Sequence, residues 1–261
     1  MDLLFDRRRT LIVGASYGIG FATASLAAAE GADLLLVSRS QANLEDAARA
    51  LKTSPAPALL AADVTQPEGG DKLAGAVADR WGALDVLVTA VGGSVRSSFQ
   101  DLTDEQWADN YTYNVTSTVR AIRATLPFLR NGYMPAIVIL GAASAKMPYA
   151  HQIASNTHKA GLLALSKTLA QELAAEGIRV NLVGPGRTLT PLWLNRAKKL
   201  ASEQQVSEED IIRGFSEDIP MKRFANPTEV ATMVVWLSSP RASYITGQAI
   251  NVDGGIARGL I

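Results

Sequence analysis

The sequence predicts an α/β fold: a doubly wound parallel sheet of about seven strands with helices on both faces. Three observations carry this reading. Short apolar runs without alternating polarity recur along the chain, as in strands buried on both faces. Longer helical patterns separate them in regular βαβ order. A glycine-rich turn joins the first apolar run to the first helical pattern.

Leu11-Ile-Val13 is the first strand, and a small-residue helix from Gly20 to Glu30 follows, closed by Gly31. Leu34 to Val37 is a fully buried strand type, and Asn43 to Lys52 is the next helix. Ala58 to Ala62, Leu84 to Val88, Ile137 to Leu140 and Ile178 to Val183 repeat the strand signal, with helical patterns at 66–81, 103–129 and 155–176. One segment breaks the rhythm. Residues 190–218 are charged and helix-prone and fall between a strand and the final helix, where a substrate lid would sit.

The 261 residues fit a single domain, 1–261, with the lid as an insertion. A hydrophobic share of 48 % and a charged share of 19 % exclude a disordered or fibrous chain. Twenty-five Lys and Arg balance 25 Asp and Glu, which speaks against a nucleic-acid partner. The lack of Cys excludes disulfides, thiolate catalysis and Cys-ligated zinc. Two His, His151 and His158, make a metal site unexpected. No apolar run approaches the roughly 18 residues of a membrane span. The first nine residues carry charge but no apolar run, so no signal peptide and a cytoplasmic location are expected.

Gly14-Ala-Ser16-Tyr17-Gly18-Ile19-Gly20 stands between the first strand and the first helix. Glycines allow the backbone to approach a pyrophosphate, and the helix N-terminus supplies free N–H groups. The second strand ends in Ser38-Arg39-Ser40. A ribose-binding carboxylate here would select NAD, whereas the planar donor fork of Arg suits a 2′-phosphate. Asp33 lies too early in the strand to serve as that carboxylate. The expected cofactor is NADP(H) on a Rossmann-like sheet.

From these residues the chain resembles the short-chain dehydrogenase/reductase family over nearly its whole length, in the manner of 3-oxoacyl-ACP reductases. The Gly14 to Gly20 loop is similar to the family's TGxxxGxG, with Val13 for Thr. Asp63-Val64 matches the pair at adenine, and Tyr113-Asn114-Val115 the catalytic Asn segment. Asn181 to Thr190, with Pro185, Gly186 and Thr188, matches NxVxPGxxxT beside the nicotinamide. Ile219 to Pro227 and Tyr244 to Gly255 resemble the carboxyl-terminal signature. The family's NNAG segment is altered here to Thr89-Ala90-Val91-Gly92. The resemblance also implies a homotetramer, with which apolar stripes near 115–126 and 162–173 are compatible.

The catalytic centre departs from the family pattern. Where YxxxK is expected the chain reads Ser155-Asn-Thr-His-Lys159. Ala142 stands where the family's Ser would be, with Ser144 two residues later. A Tyr hydroxyl titrates near 10 and a Ser hydroxyl near the 15.7 of water, a gap worth about 7 to 8 kcal/mol against forming the conjugate base. Ser155 can orient a substrate oxygen but is a poor general acid. Asn114 and Lys159 remain of the family's tetrad and would support a water relay; Lys159 would also hold the nicotinamide ribose. Tyr149, in a loop after Pro148, and His151 are the candidate proton donors, and His158 is read as structural.

Two functions follow. One is an NADP-dependent oxidoreductase moving hydride between nicotinamide and a small-molecule carbonyl, alcohol or activated C=C. The other is a catalytically inactive nucleotide-binding protein, a sensor or partner subunit. The lid residues Leu189, Leu192, Trp193, Leu194 and Phe215 would cover an apolar part of the substrate.

Overall fold

The computed structural model describes residues 2–53 and 55–259. Seven strands form one sheet: β1 (Arg9–Val13), β2 (Asp33–Ser38), β3 (Ala58–Ala61), β4 (Val86–Thr89), β5 (Ala136–Leu140), β6 (Arg179–Pro185) and β7 (Ala249–Val252). Their order is β3-β2-β1-β4-β5-β6-β7, and every pair is parallel. The order reverses direction between β1 and β4, and a crevice opens at the carboxyl ends of the strands there.

Nine α-helices accompany the sheet among the described residues: α1 (Gly18–Ala29), α2 (Gln41–Leu51), α3 (Pro67–Arg80), α4 (Asp104–Tyr111), α5 (Ser117–Leu129), α6 (Ile153–Leu173), α7 (Pro191–Gln204), α8 (Glu208–Ser216) and α9 (Pro227–Ser238). None is long and apolar enough to cross a membrane.

The strands lack alternating polarity because each face carries its own apolar layer. Leu11 and Val13 of β1, Leu35 and Val37 of β2, and Ile137 and Ile139 of β5 meet Leu73 and Val77 of α3, Ile122 and Leu129 of α5, and Leu162 of α6. The intervening Ile12, Leu34, Leu36 and Val138 meet Ala24 and Ala27 of α1, Leu44 of α2, and Val230 and Val234 of α9. Period-two side-chain placement therefore sends successive apolar residues into opposite layers.

At the amino end of the sheet Asp85 joins neighbouring segments. Its carboxylate accepts from Arg9 Nε at 3.0 Å, from the Arg9 amide at 2.9 Å and from the Tyr133 amide at 2.7 Å. These bonds hold Asp85 ionised, with its pKa lowered despite the opposing effect of burial.

One expectation is adjusted. The single helix read over 103–129 is divided by a π-helical turn at Thr112–Thr116. Its start is set by a reciprocal cap: Thr103 Oγ1 accepts from the Gln106 amide at 3.1 Å, and the Gln106 side chain accepts from the Thr103 amide at 3.2 Å. The helix-prone segment 190–218 is resolved into two helices, α7 and α8. Gln205 in the left-handed conformation ends the first, and Ser207 caps the second.

Candidate active site

A cavity of about 640 Å³ runs along the crevice, within the size range of ligand sites. Loops from the carboxyl ends of β1, β2, β3, β4, β5 and β6 wall it, and α7 covers part of its mouth.

One end holds the glycine turn and the start of α1. Gly14, Ser16, Tyr17, Gly18, Ile19 and Gly20 line it, and the first amides of α1 have no side-chain cap. Gly20 is required by close approach: a Cβ there would lie 2.0 Å from the Gly14 carbonyl oxygen. Ser38 and Arg39 stand at the end of β2, with the Arg39 guanidinium 5.7 Å from the Tyr113 ring centroid. Asp33 is at the opposite end of β2. It is bound to Arg80 at 2.5 Å and to Trp81 Nε1 at 2.6 Å, out of reach of the cavity. Asp63 and Val64 line the wall after β3, where the Asp63 carboxylate fixes its loop by accepting from the Thr65 amide at 2.9 Å. Ala90 and Gly92 follow β4, and Pro185, Gly186 and Thr188 close the cavity after β6.

The other end carries the departures from the family pattern. Ser155 and Lys159, one turn apart on α6, both face the cavity. Burial alone lowers the Lys159 amine to about 8. Gly92 gives this amine its place, since a Cβ at that residue would meet Lys159 Nζ at 2.6 Å. Ser155 Oγ accepts from the Val95 amide at 3.2 Å and so ties the loop after β4 to α6, while its O–H remains able to donate. Ala142 and Ser144 line the cavity from the turn after β5. Tyr149 also lines it, half-buried. Burial raises its phenol pKa, and the nearby Arg187 charge opposes the rise.

Three sequence expectations meet a different arrangement. Asn114 is fully buried behind the wall rather than on the cavity surface. Its side chain accepts from the Gly93 amide at 3.1 Å and donates to the Gly93 and Asn110 carbonyls at 3.0 and 2.9 Å. The π-helical turn sets it there, and its side-chain bonds hold the 92–93 loop in place. His151 is exposed and outside the cavity lining, on a backbone with φ of +59°. Among the lid residues, Leu192 and Trp193 reach the cavity, Leu194 is exposed, and Leu189 and Phe215 pack with Ile219 and Phe224. His158 is structural in its contacts, its Nδ1 2.9 Å from Asn110 Oδ1 and its ring edge-on to Trp107 and Tyr111.

Sequence reasoning missed Gln152, Tyr113 and Arg96, which also line the cavity. Tyr113 sits beside the noted Asn114 and could have been found by its place in the same motif. Nothing in the local sequence around Arg96 marks it.

Comparison with known proteins agrees with this geometry. A family profile described as Enoyl-(Acyl carrier protein) reductase matches residues 14–257. The chain belongs to the short-chain dehydrogenase/reductase family. It is 31 % identical over 246 residues to a 3-oxoacyl-(acyl-carrier-protein) reductase of Vibrio cholerae, covering 94 % of this chain and 96 % of that one. The crystal structure of L-sorbose reductase from Gluconobacter frateurii, complexed with NADPH and L-sorbose, superposes with a TM-score of 0.96 at 35 % identity over all of both chains. An actinorhodin polyketide ketoreductase with NADPH gives a TM-score of 0.90 at 30 % identity, over 98 % of this chain and 99 % of that one.

Proposed function

We propose that the protein is an NADP(H)-dependent oxidoreductase acting on a small-molecule carbonyl/alcohol pair or an activated C=C. The observation that carries this reading is Lys159, a buried amine facing the same cavity as the nucleotide cradle. Holding such a group with no carboxylate partner among the described residues destabilises the fold, and perturbed groups of this kind gather at working sites.

The cradle fits the cofactor. The uncapped start of α1 suits a pyrophosphate, and Arg39 suits a 2′-phosphate. Two similar structures were solved with NADPH. The bound cofactor would supply or accept the hydride. The chain's own residues position the substrate and handle the proton. Ser155 and Ser144 orient a substrate oxygen, Lys159 provides a positive charge at the nicotinamide end, and Tyr149 is the phenol available as proton donor. The α7–α8 pair acts as the substrate lid.

A second reading, a nucleotide-binding protein without turnover, is favoured by one observation: the residue facing the cavity one turn before Lys159 is Ser155, whose hydroxyl is a poor general acid. NADPH consumption with a panel of ketones, aldehydes and enones separates the two. Turnover that falls at least tenfold in Tyr149→Phe supports the first reading. Tight NADPH binding with no turnover of any member supports the second.

A cytoplasmic homotetramer completes the proposal. The apolar surfaces of α5 and α6 would form one interface, and light scattering at micromolar concentration tests it. A monomeric mass rejects the tetramer.

A further inference from the structure

The charges lining the cavity are unevenly placed. Among the described lining residues the one carboxylate is Asp63, at the nucleotide end. The substrate end carries Lys159 and three guanidinium groups, Arg96, Arg187 and Arg196. They arrive from three separate segments: the loop after β4, the turn after β6, and α7.

Two of the three are held in place. Arg187 donates to the Asp218 carboxylate at 3.0 Å and to the Phe215 carbonyl, and its guanidinium is 5.1 Å from the Phe215 ring centroid. Arg196 is half-buried and stacked on two rings, 4.5 Å from the Trp193 centroid and 4.9 Å from that of Phe215. Arg96 is an exposed residue whose backbone is held close to the candidate reacting centre, because the amide of the preceding Val95 is bound to Ser155. Among the described residues neither Arg96 nor Arg196 has a carboxylate within 4.0 Å. Asp218 answers the charge of Arg187, but Arg96 and Arg196 have no such partner, and like charges in a partly desolvated cleft repel unless an anion joins them. Burial and mutual repulsion accordingly lower the pKa of both Arg96 and Arg196.

The cofactor does not supply that anion at this end. Its phosphates belong with the start of α1 and with Arg39, and an oxidised nicotinamide is itself positively charged. We propose that the substrate carries a compact oxyanion, a carboxylate or a phosphate, bound by Arg96, Arg187 and Arg196 while its carbonyl or alkene carbon lies at Ser155 and Tyr149. Planar guanidinium groups match both anions through paired N–H donors. The aromatic platform under Arg196 keeps its fork pointing into the cavity without a carboxylate to hold it. This assignment names the substrate class of the oxidoreductase reading and rests on it for turnover, but anion binding can be measured separately.

The test uses the full chain saturated with NADPH, in low-salt buffer. Inorganic phosphate and acetate are titrated separately by calorimetry. Binding of either is expected, and the ion that binds tells phosphate from carboxylate. Arg96→Gln and Arg196→Gln should each weaken it at least tenfold, with NADPH affinity unchanged and circular dichroism preserved. In parallel, 2-oxo carboxylates are compared with their methyl esters, and dihydroxyacetone phosphate with dihydroxyacetone. The anionic member is expected to have at least a tenfold higher kcat/KM, and the advantage should shrink in the Gln variants. Two results overturn the proposal: neither ion binds at millimolar concentration, or binding is indifferent to both substitutions. A loss of NADPH affinity in Arg196→Gln also overturns it, because the arginines would then serve the cofactor. If the ions bind through these arginines but no compound is turned over, the anion site stands and the oxidoreductase reading falls.

Discussion

Replacing Lys159 by Met should make the folded protein more stable and less able to turn over substrate. Met keeps the apolar stem and removes the charge. The amine is 8 % exposed as a residue, and burial alone lowers its pKa from 10.5 to about 8. At about 1.36 kcal/mol per pKa unit, the protonated amine destabilises the fold by about 3 kcal/mol at pH 7. The sign with pH follows from the two pKa values. Below about 8 both the folded and unfolded chains are protonated, and the penalty is present in full. Between about 8 and 10.5 the folded chain has released the proton while the unfolded chain still binds it, so wild-type stability rises with pH. Urea unfolding of both proteins at fixed concentration, from pH 7 to pH 10, should therefore show the Met variant ahead by about 1–3 kcal/mol at neutrality. The gap should narrow as the pH rises. A variant no more stable than wild type at pH 7, or a gap that stays constant with pH, refutes the argument that burial alone sets this amine.

Three further perturbations test other parts of the site. Arg39→Ala should weaken NADPH binding by about 10- to 100-fold and leave NADH nearly unchanged, since a charge-assisted pair contributes about 1.5–3 kcal/mol; fluorescence titration of both cofactors measures it, and an unchanged preference removes Arg39 from the assignment. Ser155→Tyr, with Ala142→Ser added as a second step, should raise carbonyl reduction by about 100- to 10,000-fold in NADPH assays, because the new phenol meets Lys159 one turn away; no gain in the double variant means the centre has diverged beyond its proton donor. Gly20→Ala should abolish NADPH binding and destabilise the fold by about 1–3 kcal/mol, as its Cβ would lie 2.0 Å from the Gly14 oxygen; thermal unfolding and cofactor titration check both effects.

The sheet was legible because burial on both faces leaves a local signature. Leu34 to Val37 is apolar at every position, and each of its residues fills one of the two layers. The nucleotide cradle was legible for a similar reason: Gly14 to Gly20 is one continuous segment whose backbone does the work. The π-helical turn at Thr112–Thr116 was not, because a one-residue widening of a helix leaves the apolar spacing almost intact. Asn114 was recognised by its neighbours in sequence, but its depth behind the wall depends on that turn. The arginine cluster was the least visible feature. Arg187 and Arg196 lie in or beside the charged lid segment, yet their meeting with Arg96 is made only by the fold, across segments remote in sequence.

Gly18, at the start of α1, lies so close to the turn after β6 that a Cβ on it would be 3.4 Å from Thr190 Cγ2. The first and last parts of the cleft are thus neighbours in space although most of the chain separates them. No fragment of the polypeptide can present the complete cleft, because its two rims are brought together by the finished order of strands. Cofactor added during refolding consequently finds its full complement of contacts only after the long-range pairing is done. It acts on the final equilibrium rather than on early steps, drawing the population toward the native state by about 2.7 kcal/mol when present at 100 times its dissociation constant. Occupancy of the cleft is therefore a report on global integrity: a chain in which the strands between β1 and β6 are mispaired forfeits the ligand along with the fold.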